Sequence, residues 1–205
     1  MIVKICGVTS PQQALACAAL GADWIGLNCW PGSKRYIPLE TVAAITEALP
    51  EHITPVGVFV NASREEVEQT VLQGRLKWAQ LHGDESSEFA QALSVPWFRA
   101  FRAGPDFQPE AISAFGSAHF LLDAWHPEEY GGTGNQADRS VAVQVARQGK
   151  MLLAGGLTPE NVGPAIQEIQ PYGVDVASGV ESAPGVKDLE RVRRFIQAAR
   201  NAAGS

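Results

Sequence analysis

Two residues of this chain are of types that move protons, and each stands where a short apolar run stops. Cys6 closes K-I-C ahead of Gly7, and Asp123 closes H-F-L-L-D. A carboxylate after an apolar strand is costly unless paired or solvated, so Asp123 is either a structural acceptor or an acid/base. A thiol has a reference pKa of about 8.5 and serves as a base near neutral pH only when something lowers that value. The amides after Gly7, or a nearby cation, would do so. Lys4 is close in sequence, but it lies two residues back on the same strand, and its head is free to point to the other end. Without such help Cys6 is a small buried hydrophobe.

A second group of residues suits anions. A-G-G-L-T-P-E-N carries Gly155 and Gly156, and A-S-G-V-E carries Ser178 and Gly179. Glycines in such loops expose backbone N–H groups, and a following helix start adds a positive end, so together the two loops can hold a phosphate. A third glycine segment, with Gly132 and Gly134, is a lid, another phosphate contact or an idle surface loop. Arg35, in P-G-S-K-R-Y, is either a two-pronged clamp for a carboxylate or a solvated loop residue. His82, in Q-L-H-G, is either a proton carrier or a rim histidine held by a carbonyl. Asp175 points into the interior or anchors a neighbour, and its parity with Ala177 leaves both open.

These residues are far apart in sequence, so a fold must gather them. Short β-branched or apolar runs alternate with stretches of helical period. The strands are expected at Val3–Cys6, Trp24–Cys29, Pro55–Val60, Trp78–His82, Trp97–Phe101, His119–Asp123, Met151–Ala154 and Val174–Ala177. Helices are expected at Pro11–Leu20, capped by Ser10, then Leu39–Leu49, Arg64–Leu72 capped by Ser63, Ser87–Leu93 and Pro109–Phe115. A long loop, Ala124–Gln136, precedes the helix Val141–Arg147. Pro159–Ile169, capped by Thr158, and Leu189–Ala203 complete the series. About eight strand–helix pairs imply an α/β fold with a parallel sheet and helices outside. The count favours a closed (β/α)8 TIM barrel over an open doubly wound sheet, and no G-x-G-x-x-G follows the first strand. No linker divides residues 1–205, which read as one domain. Barrel active sites lie at the carboxyl ends of the strands. That rim would carry Cys6, Asn28, Cys29, Asn61, His82, Arg102, Asp123, Gly155, Gly156, Ser178 and Gly179.

Composition narrows the partners. The chain has 205 residues, 45% of them hydrophobic, enough for a sizeable core. A net charge of −6 disfavours nucleic acid as the main partner. Three cysteines, Cys6, Cys17 and Cys29, form no C-x-x-C pair and a poor disulfide framework, so reduced thiols in the cytoplasm are expected. His52, His119 and His126 are not spaced as metal ligands, and no cofactor motif is visible. No signal peptide precedes Val3, and no apolar run approaches the roughly 20 residues of a membrane helix. An acid, a thiol, a phosphate site and an arginine for a second anion fit isomerisation of a small sugar phosphate by proton shuttling.

The segments K-I-C-G-V-T, P-G-S-K-R-Y-I, V-G-V-F-V-N and Q-L-H-G-D-E resemble those of the phosphoribosylanthranilate isomerase family. So do L-L-D-A-W…E-Y-G-G-T-G, A-G-G-L-T-P-E-N-V and V-D-V-A-S-G-V-E-S-A-P-G-V-K-D, in order from Val3 to about Asp188. The resemblance implies a step of tryptophan synthesis, the Amadori rearrangement of N-(5-phosphoribosyl)anthranilate to 1-(2-carboxyphenylamino)-1-deoxyribulose 5-phosphate. It implies Asp123 as general acid, Cys6 as general base and Arg35 as holder of the anthranilate carboxylate. The glycine loops would hold the phosphate. Asn135 and Ala137 stand where the family pattern has a lysine and an aromatic, and Cys29 where an aromatic is more usual. Cys6 in the base position favours the tryptophan substrate over the related histidine-pathway one. The alternatives are a phosphate-barrel lyase of the indole-glycerol-phosphate synthase type and a non-catalytic phosphate-ligand barrel. Members of the family resemble monomers or homodimers.

Overall fold

The computed structural model describes residues 1–104, 107–123 and 136–204. Eight parallel strands close into a barrel in sequence order. They are β1 (Ile2–Cys6), β2 (Trp24–Asn28), β3 (Thr54–Phe59), β4 (Trp78–Leu81), β5 (Trp97–Arg102), β6 (His119–Asp123), β7 (Lys150–Ala154) and β8 (Gly173–Val176). The helices between them are α1 (Pro11–Ala19), α2 (Leu39–Ala48), α3 (Arg64–Gln73), α4 (Ser87–Gln91), α5 (Glu110–Phe115), α6 (Gln136–Ala146) and α7 (Val162–Ile169). A hairpin, β9 (Glu181–Ala183) with β10 (Val186–Lys187), precedes the last helix, α8 (Leu189–Ala203). That hairpin is not among the expected elements, because three- and two-residue strands carry no periodicity.

Local signals account for most boundaries. Ser10 accepts a hydrogen bond from the Gln13 amide, with Pro11 in the first turn of α1. Ser63 and Glu66 cap α3 reciprocally. α7 departs from expectation. It begins at Val162, three residues later than the sequence suggests, and Thr158 is not its cap. The Thr158 amide donates to Asn161 Oδ1 at 2.7 Å and its hydroxyl accepts from the Glu160 amide at 3.2 Å. These bonds fold 158–161 into a turn that competes with helix.

The barrel interior is layered. Registers Lys4↔Trp24, Trp24↔Thr54, Val56↔Trp78, Gln80↔Phe98, Leu121↔Leu152 and Lys4↔Asp175 give one inward-facing set. Its lower part is apolar, with Trp24, Val56, Phe98, Leu121 and Leu152 in one buried cluster. Trp24 and Trp78 stack at 6.4 Å between ring centroids, and His119 lies 5.0 Å from Trp78. A larger cluster, including Val3, Ile5, Leu27, Leu81 and Phe195, fills the space between strands and helices. No helix among the described residues is long and apolar enough to cross a membrane.

Candidate active site

Side chains two apart on a strand share a face, so the inward set can be followed up to the rim. On β1 it is Ile2, Lys4 and Cys6; on β6 it is His119, Leu121 and Asp123. Register places Cys6 beside Gly26 and Asp123 beside Arg102 and Ala154. β1 and β6 are separated by β7 and β8 around the ring, so Cys6 and Asp123 face the mouth from different walls. Both are only partly exposed.

Beneath Cys6 lies Lys4, which is fully buried. Its Nζ donates to Asp175 Oδ1 at 2.7 Å. The pair settles both orientations that the sequence left open. Asp175 points into the barrel, and the Lys4 head rises toward the rim rather than the opposite end. Burial holds the Cys6 thiol above its ordinary value; the charges of Lys4 and Lys187 pull it down, and that of Asp175 pushes it up. Of the amides around Gly7, those of Gly7 and Val8 are committed elsewhere: both donate to the Gly26 carbonyl, at 2.9 and 3.2 Å.

Arg35 lies across Gly7, where a Cβ would meet its Cδ at 2.4 Å. It is not a free clamp. Its Nε donates to Glu181 Oε1 at 2.8 Å and its Nη2 to Glu181 Oε2 at 2.5 Å. Lys187 Nζ joins the same carboxylate at 2.8 Å, with its own head fully enclosed. Burial pushes the Glu181 carboxyl up, but hydrogen bonds from Arg35 and Lys187 hold it below the usual carboxylate range. The two-pronged bond fixes one edge of the guanidinium and leaves Nη1 toward other acceptors. Glu181 and Lys187 were missed from sequence because they belong to the hairpin.

His82 follows β4 directly, with Gln80 Nε2 2.8 Å from its Nδ1. Burial holds the imidazole below its ordinary pKa, and it feels the charges of Asp123, Asp175, Lys4 and Arg102. A neutral ring that accepts from Gln80 carries its proton on Nε2. Asn61 is instead structural: its amide donates to Glu85 Oε1 at 2.8 Å, and its Oδ1 accepts from Asp84 at 2.6 Å. Cys29 is pushed up to about 12 by burial.

At the opposite side of the rim, Gly155 and Gly156 take φ of +95° and +58°. Gly156 and Ser178 are exposed. The two loops touch at Gly179, where an added Cβ would fall 1.9 Å from the Leu157 carbonyl oxygen. Gly132, Gly134 and Asn135 lie outside the described residues, as do the side chain of Ala137 and most of the loop 124–136. No group of His, Cys, Asp and Glu among the described residues is arranged to hold a metal.

Closed parallel strands in a ring of helices make this a TIM barrel, with a set of polar groups at the carboxyl-terminal rim. Residues 3–198 match the family model of N-(5'-phosphoribosyl)anthranilate isomerase, and the chain belongs to that family. It is 43% identical to the N-(5'-phosphoribosyl)anthranilate isomerase of Trichlorobacter lovleyi over 201 residues, covering 98% of each chain. The phosphoribosylanthranilate isomerase of Thermotoga maritima superposes with a TM-score of 0.88 at 36% identity, covering 98% of this chain and all of that one. A phosphoribosylanthranilate isomerase solved with reduced 1-(o-carboxyphenylamino)-1-deoxyribulose 5-phosphate also gives 0.88, at 34% identity and 98% coverage of this chain.

Proposed function

We propose that this chain, as one domain, carries out its family's Amadori rearrangement with Asp123 as general acid and Cys6 as general base. The substrate is N-(5-phosphoribosyl)anthranilate, with one phosphate and one carboxylate. Asp123 protonates the furanose ring oxygen, and the ring opens to a Schiff base. The Cys6 thiolate removes the proton from the adjacent sugar carbon, giving an enolamine. Tautomerisation to the ketone yields 1-(2-carboxyphenylamino)-1-deoxyribulose 5-phosphate, with no net gain or loss of atoms. The amides around Gly155, Gly156, Ser178 and Gly179 hold the phosphate, and Arg35 receives the anthranilate carboxylate through its remaining edge. His82 offers its Nε2–H, and Asp175 acts from beneath the rim. The chain works in the cytoplasm as a monomer or homodimer, without metal or cofactor.

The observation that carries the reading is the shared inward parity of Cys6 and Asp123. Register brings them to the rim on different walls, above an apolar floor. A sugar held between them presents its ring oxygen to one and its carbon-bound proton to the other. General acid–base groups typically contribute about 10²- to 10⁴-fold each. Cys6→Ser and Asp123→Asn should therefore lose turnover on that scale while folding normally, followed by anthranilate fluorescence and circular dichroism. Wild-type turnover in either variant would remove the role assigned to that residue.

A further inference from the structure

A base needs an ionised sulfur, and enclosure in the barrel works against one. Two sources of relief are conceivable near Cys6: oriented amides and a cation. The Gly7 and Val8 amides are both committed to the Gly26 carbonyl. The cation is the source that the geometry brings to the sulfur. An ammonium has three donors, and Asp175 takes one of those on Lys4. The Lys4 head and the Cys6 sulfur converge on the same small residue. A Cβ placed on Gly26 would lie 2.6 Å from Cys6 Sγ and 3.0 Å from Lys4 Nζ. The Lys4 charge pulls the Cys6 thiol down, more than that of Lys187 does.

The surrounding charges point the same way. Cys6 feels Lys4 from β1, Asp175 from β8 and Lys187 from β10, and it acts in turn on Arg35 from the loop after β2. Glu181 of β9 is shared by Arg35 and Lys187. His82, kept neutral at neutral pH by burial, adds no charge. Among these groups Lys4, Lys187 and Arg35 stand against Asp175 and Glu181. One positive charge is in excess, and a Cys6 thiolate balances it.

We infer that Lys4 is a positioning residue for the base. Its ammonium, shared between the Asp175 carboxylate and the Cys6 sulfur, is the charge that lets Cys6 ionise inside the barrel. Asp175 sets how much of that charge the sulfur receives. The inference builds on Cys6 being the base, yet its test reads the thiol itself.

The experiment measures the rate of iodoacetamide alkylation of Cys6 against pH, localised by fragment-ion mass spectrometry so that Cys17 and Cys29 are scored separately. The proteins are wild type, D175N and K4M/D175N; the double variant removes the buried pair together, so no unpaired charge threatens folding. D175N should lower the midpoint, because Lys4 then serves the sulfur alone. K4M/D175N should raise it by about one pH unit, slowing alkylation roughly ten-fold on the acid side. A merely structural pair would not move the midpoint in opposite directions. A midpoint that stays put in K4M/D175N, or moves the same way in both variants, overturns the inference and leaves Cys6 as base untouched. Opposed shifts accompanied by wild-type turnover in Cys6→Ser would uphold the Lys4 pairing and remove the base role instead.

Discussion

Gly179→Ala tests whether the proposed phosphate site depends on how closely the loops after β7 and β8 approach. The new Cβ would lie 1.9 Å from the Leu157 carbonyl oxygen, 3.0 Å from the Leu157 carbonyl carbon and 3.3 Å from Thr158 Cα. All of these are backbone atoms, so no side chain can swing aside. A relaxed carbon–oxygen contact is about 3.3 Å or longer, so the loops must part by more than ~1 Å. An amide that donates to phosphate at about 2.9 Å does not survive such a displacement. A hydrogen bond to a charged group is worth about 1.5–3 kcal/mol. Losing one raises KM about 10- to 150-fold, at 1.4 kcal/mol per decade. The control is Gly163→Ala in α7, whose Cβ meets nothing nearer than Ala202 Cβ at 4.0 Å. Steady-state kinetics by anthranilate fluorescence and thermal denaturation on both variants separate binding from folding. A folded Gly179→Ala enzyme with wild-type KM would refute the placement of the phosphate between these loops.

Two further outcomes follow from the same rim. Gly26→Ala would set a methyl group 2.6 Å from Cys6 Sγ and 3.0 Å from Lys4 Nζ, so kcat should fall at least ten-fold with little change in KM; equal losses of both would instead indicate a disturbed pocket. Glu181→Gln removes the countercharge of the buried Lys187 ammonium, leaving it the Ala177 carbonyl, and loosens Arg35, which should cost up to about 3–5 kcal/mol of stability and raise KM. Its folded pKa lies below the unfolded one, so the Glu181 contribution is present above about pH 4.3 and lost as pH falls through the folded value. The variant should flatten the acid side of a melting-temperature profile against pH, and an unchanged profile would contradict that linkage.

The barrel was legible because its signals are local and repeated. Eight apolar runs alternate with helices whose caps, such as Ser10 and Ser63, are written beside them. The rim was legible once strand ends were known, which is why Cys6, His82 and Asp123 could be named. What could not be read was pairing at long range. Nothing near Arg35 in sequence announces Glu181, and nothing near Lys4 announces Asp175, since those contacts close across 146 and 171 positions. The Thr158 cap failed for a local reason: the Asn161 side chain offered the backbone a turn before helix could begin.

One part of the hidden layer does leave a trace. Inward side chains recur every second residue, so the group beneath a rim residue is always two positions back on its own strand. Lys4 lies beneath Cys6, and Gln80 beneath His82, with its amide on the imidazole. Below both lies the aromatic floor of Trp24, Trp78 and Phe98. That floor excludes the water which would otherwise screen Lys4, so the enclosure that raises the thiol also strengthens the ammonium's pull on it. Enclosure alone would silence the sulfur, and a cation in open solvent would have little hold on it. K-x-C at the end of a barrel strand places both conditions at one point.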